Sequence, residues 1–332
     1  MNNKSANLNR ELLSVVVPCH NEEASLPLLF DAIDSVAQQL TAAHPHICIE
    51  LVIVDDGSRD KTITATQDCA KKHPSLHAQW ISFSRNFGKE AALIAGLEHA
   101  RGDYVAVIDA DLQDPPELLL QMIEPLLAGE CDCVAAQRVT RQGEPAIRSF
   151  FSNAFYKIIN TISDTEFKSG ARDFRLMTRR MVNAVLDLPE RVRFSKGIFG
   201  WVGFETQWIP YENHERSKGS SSWSFAQLVS YSINGIVAFS TAPLALASAM
   251  GIILCLLSLI AVIFIVVRAI LFGDPVAGWP SLACIIIFLG GLQLLCLGIV
   301  GQYLAKVYEE VKGRPHYVIK DQGSFDITES PL

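Results

Sequence analysis

Two aspartates one residue apart, Asp109 and Asp111, follow the apolar run Tyr104-Val105-Ala106-Val107-Ile108 and precede Leu112-Gln113-Asp114-Pro115-Pro116-Glu117. The apolar run reads as a strand, and residues two apart on a strand point to one face. If the extended form persists, both carboxylates share a side. Hard oxygen ligands in that pattern suit Mg2+ or Mn2+, which often share their coordination with phosphate oxygens of a ligand. The same residues also read as a solvated turn, with Asp114 as N-cap and Pro115-Pro116 opening the next helix. Two apolar runs upstream end in polar clusters as well, Pro18-Cys19-His20-Asn21-Glu22-Glu23 and Asp55-Asp56-Gly57-Ser58-Arg59-Asp60. In an open α/β sheet, ligands bind at the carboxyl ends of the strands, so three such ends make a candidate cleft. Carboxylates at 55 and 56 could accept from a nucleobase N–H or from ribose hydroxyls. Ser58 or Asp60 could instead cap the following helix.

Cations suited to an anionic ligand come later, as Arg138 with Arg141, Arg148, and Arg216 with Lys218. Guanidinium groups grip phosphates with planar geometry. Arg138 directly follows an apolar run, and Arg216 and Lys218 stand just before a long uncharged region. Neither Gly-x-Gly-x-x-Gly nor Gly-x4-Gly-Lys-Ser/Thr occurs, which argues against a dinucleotide fold or a P-loop. A net charge of −7 and the lack of a basic, aromatic-interleaved stripe argue against nucleic acid. The eight cysteines include no Cys-x-x-Cys pair and no zinc-spaced cluster with histidine. They read as small buried apolar residues.

The elements that must position these groups alternate. Strands are expected at Leu12–Val17, Ile49–Val54, Gln79–Phe83, Tyr104–Ile108 and Cys133–Ala136. Helices are expected at Ala24–Leu40, Thr62–Lys72, Lys89–Ala100 and Pro116–Leu127. That alternation implies a mostly parallel sheet with helices on both faces. Beyond Arg138 the pattern loosens. An amphipathic helix is expected over Ile147–Ile162, strands at Phe174–Met177 and Phe204–Pro210, and a polar link at Gly219–Ser222.

No Asp, Glu, Lys or Arg occurs between Lys218 and Arg268, or between Asp274 and Lys306. Trp223–Val237 carries scattered polar groups and suits an interfacial helix. Ala242–Val267 and Ser281–Leu304 each exceed the ~20 residues a bilayer crossing needs, and they read as an antiparallel hairpin. Arg216, Lys218, Lys306, Lys312 and Arg314 flank it, so the positive-inside rule puts both flanks in the cytoplasm. The polar N-terminus lacks the apolar stretch of a secretory signal, which agrees. The expected organisation is a domain over 1–222, an interfacial helix over 223–240, two spans over 241–305 and a cytoplasmic tail over 306–332.

Taken together, Val-Val-Val-Pro…Asn-Glu-Glu at 15–23, Val-Asp-Asp-Gly-Ser at 54–58 and Asp-Ala-Asp-Leu-Gln-Asp-Pro-Pro-Glu at 109–117 resemble family 2 glycosyltransferases with the GT-A fold. Ser84-Arg85-Asn86-Phe87-Gly88-Lys89-Glu90, Asp173-Phe174-Arg175-Leu176-Met177 and Lys196-Gly197-Ile198 bring it close to the polyprenyl-phosphate group, the bactoprenol glucosyltransferases in particular. The resemblance runs from about Leu13 to about Tyr317. It implies an α/β GT-A nucleotide-sugar domain followed by a transmembrane hairpin.

The resemblance also implies roles. Pro18, Glu22, Asp55 and Asp56 would bind the nucleoside. Asp109, Asp111 and Gln113 would hold Mg2+ or Mn2+ and the donor diphosphate. Arg138, Arg148 and Ser152 would meet the acceptor phosphate, and Arg216 the donor pyrophosphate. Asp173 stands where a catalytic aspartate is proposed, as a base or as an organiser of cations. The implied reaction moves one hexose, glucose from UDP-glucose foremost, onto undecaprenyl phosphate at the inner membrane. Alternatives are a mannose or aminoarabinose donor, or a membrane scaffold that binds nucleotide sugar without turnover. Self-association is left open.

Overall fold

The computed structural model describes residues 10–139, 160–161, 168, 171–191, 193–211, 241–272 and 278–325. The expected helix at Ile147–Ile162 falls almost wholly outside them. So do the link at Gly219–Ser222 and the interfacial helix at Trp223–Val237.

The first half winds as its alternation requires. Strand β1 (Glu11–Cys19) is followed by α1 (Leu26–Ala43), β2 (Ile47–Asp55), α2 (Thr62–Lys72), β3 (His77–Phe83), α3 (Lys89–His99) and β4 (Tyr104–Val107). A short 3-10 turn at Pro116–Leu118 leads into α4 (Leu119–Leu127), then β5 (Cys133–Arg138), β6 (Ala171–Thr178), α5 (Arg179–Leu186), α6 (Ser195–Trp201) and β7 (Thr206–Tyr211). The eight-stranded sheet has the order β7-β5-β6-β4-β1-β2-β3-β8, where β8 is Ile319–Phe325. β1 pairs in parallel with β2 and β4, β2 with β3, and β5 with β7, while β6 runs antiparallel to β4 and β5.

The central strands are buried on both faces, and their side chains alternate between two apolar clusters. Leu13, Val15 and Val17 of β1 join Leu51 and Ile53 of β2 beneath α1 and α4; Val16, Val52 and Val54 face α3, α5 and α6 instead. This two-sided burial is what a parallel sheet covered by helices demands.

The strand order reverses between β1 and β4. β2 and β3 extend the sheet to one side of β1, and β4 opens the other. Such a switch point leaves a crevice at the strands' carboxyl ends, where ligands bind in open α/β sheets. The directions matter for the rest. The ends of β1, β4, β5 and β7 and the start of antiparallel β6 all meet at this one edge.

Two further helices, α7 (Ala242–Phe272) and α8 (Trp279–Lys312), span 31 and 34 residues. At about 1.5 Å per residue they reach about 46 and 51 Å, against a hydrocarbon core of about 30 Å. Ile260, Phe264 and Leu294 are 63%, 65% and 71% exposed, which no soluble core tolerates. Both helices overrun the expected spans, to Phe272 rather than Val267 and to Lys312 rather than Leu304. A helix does not stop where hydrophobicity stops; α8 stops at Gly313, which takes the left-handed conformation of a C-cap.

The residues expected as a tail are in part structural. After α8 the chain returns, and β8 pairs antiparallel with β3 along the sheet edge. The Phe325 ring lies 5.2 Å from that of Trp80. A Cβ at Gly323 would stand 2.2 Å from the Trp80 ring, so only glycine fits against that indole. Ile-Lys-Asp-Gln-Gly-Ser-Phe has no apolar alternation to announce a strand. It is an edge strand, and its neighbour supplies the pattern. Removing residues 319–332 should uncover Trp80 and the β3 edge. Amide exchange across His77–Phe83 should accelerate and the Tm should fall by about 5 °C; unchanged exchange would mean that β8 contributes nothing to the sheet.

Candidate active site

The four leading strand ends are tied to one another by their own polar side chains. Asn21, with φ of 59°, turns the chain off β1; its N–H donates to Ser58 Oγ at 2.8 Å and its Oδ1 accepts from Arg59 N at 2.9 Å. Glu22 accepts from Ser25 Oγ at 2.7 Å at the start of α1, and its N–H donates to Thr62 Oγ1 at 3.0 Å. Asp60 Oδ1 accepts from Thr62 N at 3.0 Å, a turn leading into α2, while the N-cap position itself is Lys61, which makes no side-chain capping bond.

Asp55 and Asp56 are both buried. Asp55 accepts from Ser58 N at 3.0 Å and Ser82 Oγ at 2.7 Å. Asp56 accepts from Phe87 N at 2.6 Å and Gly88 N at 2.9 Å. Each therefore spends both oxygens inside the protein. Gly57 (φ 65°) lets this turn lie against the next loop, since a Cβ there would meet the Arg85 carbonyl carbon at 2.3 Å. Burial raises the Asp56 carboxyl, while the Phe87 and Gly88 amides oppose the shift.

The held loop, Arg85–Gly88, delivers Lys89 at the first turn of α3. Its ammonium lies 2.6 Å from Asp109 Oδ1 and 2.6 Å from Asp173 Oδ2. Burial works against the charge on Lys89, but Asp173 and Asp109 outweigh it and hold the ammonium protonated far above the usual range. Asp173 is the complement. Burial would raise its carboxyl, yet Lys89 and then Lys196 press it well below the ordinary carboxylate range. A carboxylate so stabilised is a weak base.

A buried layer supports this triad. Glu90, next to Lys89, accepts from Ser195 N at 3.0 Å and from its hydroxyl. The Arg175 guanidinium stacks 3.8 Å over the Phe199 ring, and its Nη2 donates to Arg172 O at 3.2 Å.

Asp109 and Asp111 do not share a strand face. β4 ends at Val107, and Leu112, with φ of 56°, reverses the chain behind them. Asp111 Oδ1 accepts from Gln113 N at 3.2 Å, so the two carboxylates belong to a turn. Nor is Asp114 a helix cap. It is buried, accepts from the Tyr211 hydroxyl and faces Arg172 at 3.9 Å. Burial raises both the Asp114 carboxyl and the Tyr211 phenol.

The metal fit follows from the donor set. Asp109 and Asp111 are only partly buried, whereas no group of three or more His, Cys, Asp or Glu suited to a metal exists among the described residues. Two carboxylates leave most of a divalent cation's oxygen positions to phosphates and water, as suits Mg2+ beside a diphosphate.

Arg138 ends β5 opposite Tyr211 in the register, so it stands on the same rim as Asp114 and Asp173. Pro18, near the end of β1, pairs in register with Val54 and is partly exposed beside the crevice. Arg141, Arg148, Ser152, Arg216 and Lys218 lie outside the described residues. Cys19 is buried, and its thiol is pushed well up by burial and then by Glu22 and Asp55, which makes it no nucleophile.

Sequence reasoning missed Lys89. A signal existed: a lysine in the first turn of a helix opposes the macrodipole, so it needs carboxylates from elsewhere. Arg172 and Tyr211 gave no comparable signal, because their partner Asp114 is distant in sequence.

A doubly covered α/β sheet with an acidic switch point defines a class of nucleotide-binding folds. The particular family comes from comparison. The profile described as Glycosyl transferase family 2 matches residues 14–186, and the chain belongs to that family. An uncharacterized glycosyltransferase of Synechocystis sp. is 41% identical over 93% of this chain and 95% of its own length. The SfII prophage-derived bactoprenol glucosyl transferase of Shigella flexneri is 39% identical over 93% of this chain and 97% of its own. Glucosyl-3-phosphoglycerate synthase from Mycobacterium tuberculosis, solved with Mn2+, UDP-Glc and phosphoglyceric acid, aligns at a TM-score of 0.43 and 19% identity, covering 68% of this chain and 78% of that one.

The Lys89 clamp has a defined pH range. The depressed Asp173 carboxyl contributes stability above its unfolded value and loses it in acid. The raised Lys89 ammonium contributes below its unfolded value and loses it in alkali. The pair's stabilisation should therefore be full from about pH 4 to about pH 10, and the ion pair itself should outlast that range at both ends. Any neutral-range limb in a pH–activity profile should be unaltered in Asp173→Asn; a limb near pH 6 or 7 that vanishes in that variant would make Asp173 the titrating base.

Proposed function

We propose that this chain transfers a single hexose, glucose from UDP-glucose, to a polyprenyl phosphate such as undecaprenyl phosphate, by one inverting displacement. The observation that carries this reading is the similarity to bactoprenol glucosyl transferases over 93% of the chain, apolar helices included. The rim gives it chemistry.

Asp109 and Asp111, with Gln113 beside them, would hold a divalent cation and the donor diphosphate. That cation would supply Lewis-acid neutralisation of the departing diphosphate. Pro18 and the stitched turns at Glu22 and Asp55–Asp56 would frame the nucleoside; these turns act as a rigid wall, because their carboxylates are already engaged. Lys89 would brace Asp109 while the site is empty, and its ammonium would turn toward phosphate oxygens once a donor arrives. Arg138 would meet the acceptor phosphate together with Arg148 and Ser152, and Arg216 would face the donor pyrophosphate.

A phosphate monoester loses its second proton near pH 6, so the acceptor attacks largely as the dianion. Asp173 then need not remove a proton. Its depressed carboxyl suits the other task, which is to hold Lys89 in place.

The proposed organisation is a catalytic domain over 1–222, an interfacial helix over 223–240 and two spans over 241–305. The later residues return to the sheet. Both flanks of the hairpin would lie in the cytoplasm, where nucleotide sugars are made, at the inner membrane.

Membranes carrying the protein should move radiolabel from UDP-glucose into extractable lipid when undecaprenyl phosphate is added. Asp109→Asn should lower that rate about 10²-fold, the loss typical of one preorganised electrostatic contact. Transfer from another nucleotide sugar but not UDP-glucose would correct the donor; no transfer from any would leave a binding scaffold. The topology has its own test. A cysteine placed at Gly278 should be labelled from outside intact cells and one at Ser324 should be protected; the reverse would overturn the orientation.

A further inference from the structure

A second cleft lies away from the Asp109 rim, where α8 reaches the catalytic domain. Its volume is about 960 Å³, and its walls include Arg85, Arg193, Tyr308, Lys312, Arg314 and His316. Glu90 also lines it, one residue beyond Lys89, so the first turn of α3 separates the two sites.

The charge in this cleft is unbalanced. Arg85 lies 4.0 Å over the Phe87 ring and, among the described residues, donates only to Asn86 O, at 2.9 Å. Lys312 lies 5.1 Å over the Tyr308 ring, and Arg314 engages through its carbonyl, which accepts from Arg191. Among the described residues no carboxylate pairs with any of these three. The two acids in the walls are engaged elsewhere, Glu90 by Ser195 and Glu309 by Lys306 at 3.6 Å. The His316 imidazole is held below its usual value first by burial and then by Arg193 and Arg191, with Glu98 and Glu310 opposing.

The position of the cleft narrows the choice of anion. α8 exceeds the hydrocarbon core in length, and Leu304 marks the end of the span expected from the sequence. Four residues on, at about 1.5 Å each, Tyr308 stands about 6 Å further along the axis, within the headgroup layer. Lys312 is another turn beyond. Tyrosine at that depth belongs to an aromatic belt. The cleft is also far larger than one phosphate ion and is partly apolar, with Ala305, Pro315 and Val318 in its walls.

We propose that this cleft binds the phosphate-bearing headgroup of an anionic membrane lipid, at a site distinct from the acceptor-phosphate site on the Arg138 rim. The bound lipid clamps the foot of α8 to the β3–α3 loop through Arg85, Lys312 and Arg314. The inference rests on α8 crossing the bilayer, which the Gly278 label tests separately. It does not require that sugar transfer occur.

The test uses the full chain in phosphatidylcholine nanodiscs carrying increasing phosphatidylglycerol, with retained phosphatidylglycerol read by native mass spectrometry. The wild-type chain should retain it selectively. The triple variant Arg85→Ala, Lys312→Ala, Arg314→Ala should bind it about 100-fold more weakly. A charge-keeping variant, Arg85→Lys with Arg314→Lys, should retain most of the binding, and both variants should bind UDP as the wild type does, which shows that they fold. Inorganic phosphate should fail to displace the lipid at millimolar concentration. Equal retention by the triple variant would overturn the proposal. Binding of inorganic phosphate through the same three residues, without lipid retention, would also overturn it and make a soluble anion the occupant.

Discussion

One ammonium group stands between two carboxylates from different parts of the chain, and the candidate active site is organised around it. Asp109 follows β4 and Asp173 lies near the start of β6, on strands that run in opposite directions. With nothing between them, two charges at one rim would repel. Lys89 satisfies both at 2.6 Å. Its own place depends on Asp56, whose oxygens hold the two amides just before it. A line of direct bonds therefore runs from the end of β2, through the β3–α3 loop, to β4 and β6. The crevice at the switch point is a linked ring, and no single loop forms it.

The ring divides its acids into two kinds. Asp55, Asp56 and Asp114 are buried and committed to partners within the domain. Asp109 and Asp111 remain partly open to solvent. Carboxylates already bonded inside can shape a ligand's surroundings with little rearrangement, while open ones can accept a cation or surrender one. That division would let so acidic a rim take the cation and the anionic diphosphate proposed for it. Its buried acids are bonded within the domain, and of its two open ones Asp109 is in contact with the Lys89 ammonium.

The sequence was informative where physical rules act locally. Burial on both faces requires the continuous apolar runs that mark β1 and β2, and strand–helix alternation requires parallel winding, so the order of elements could be read directly. Pairing across distance could not. Nothing near Asp114 announces Tyr211 or Arg172, and nothing near Asp173 announces Lys89, because ion pairs leave no periodicity behind. The face expected for Asp109 and Asp111 failed for a local reason: β4 ends at Val107, before either aspartate, and the chain enters a turn at 110–111. β8 was illegible because an edge strand takes its register from its partner and needs no pattern of its own.

If the two apolar helices cross a bilayer, the return of β8 to the catalytic sheet makes the number of crossings a folding condition. The strand is synthesised after both apolar helices, and it must meet β3 on the side where the domain was built. An even count of crossings permits this; an odd count strands β8 across the bilayer and leaves Trp80 bare. If the helices cross, the β3–β8 edge becomes a local readout of how the two are inserted.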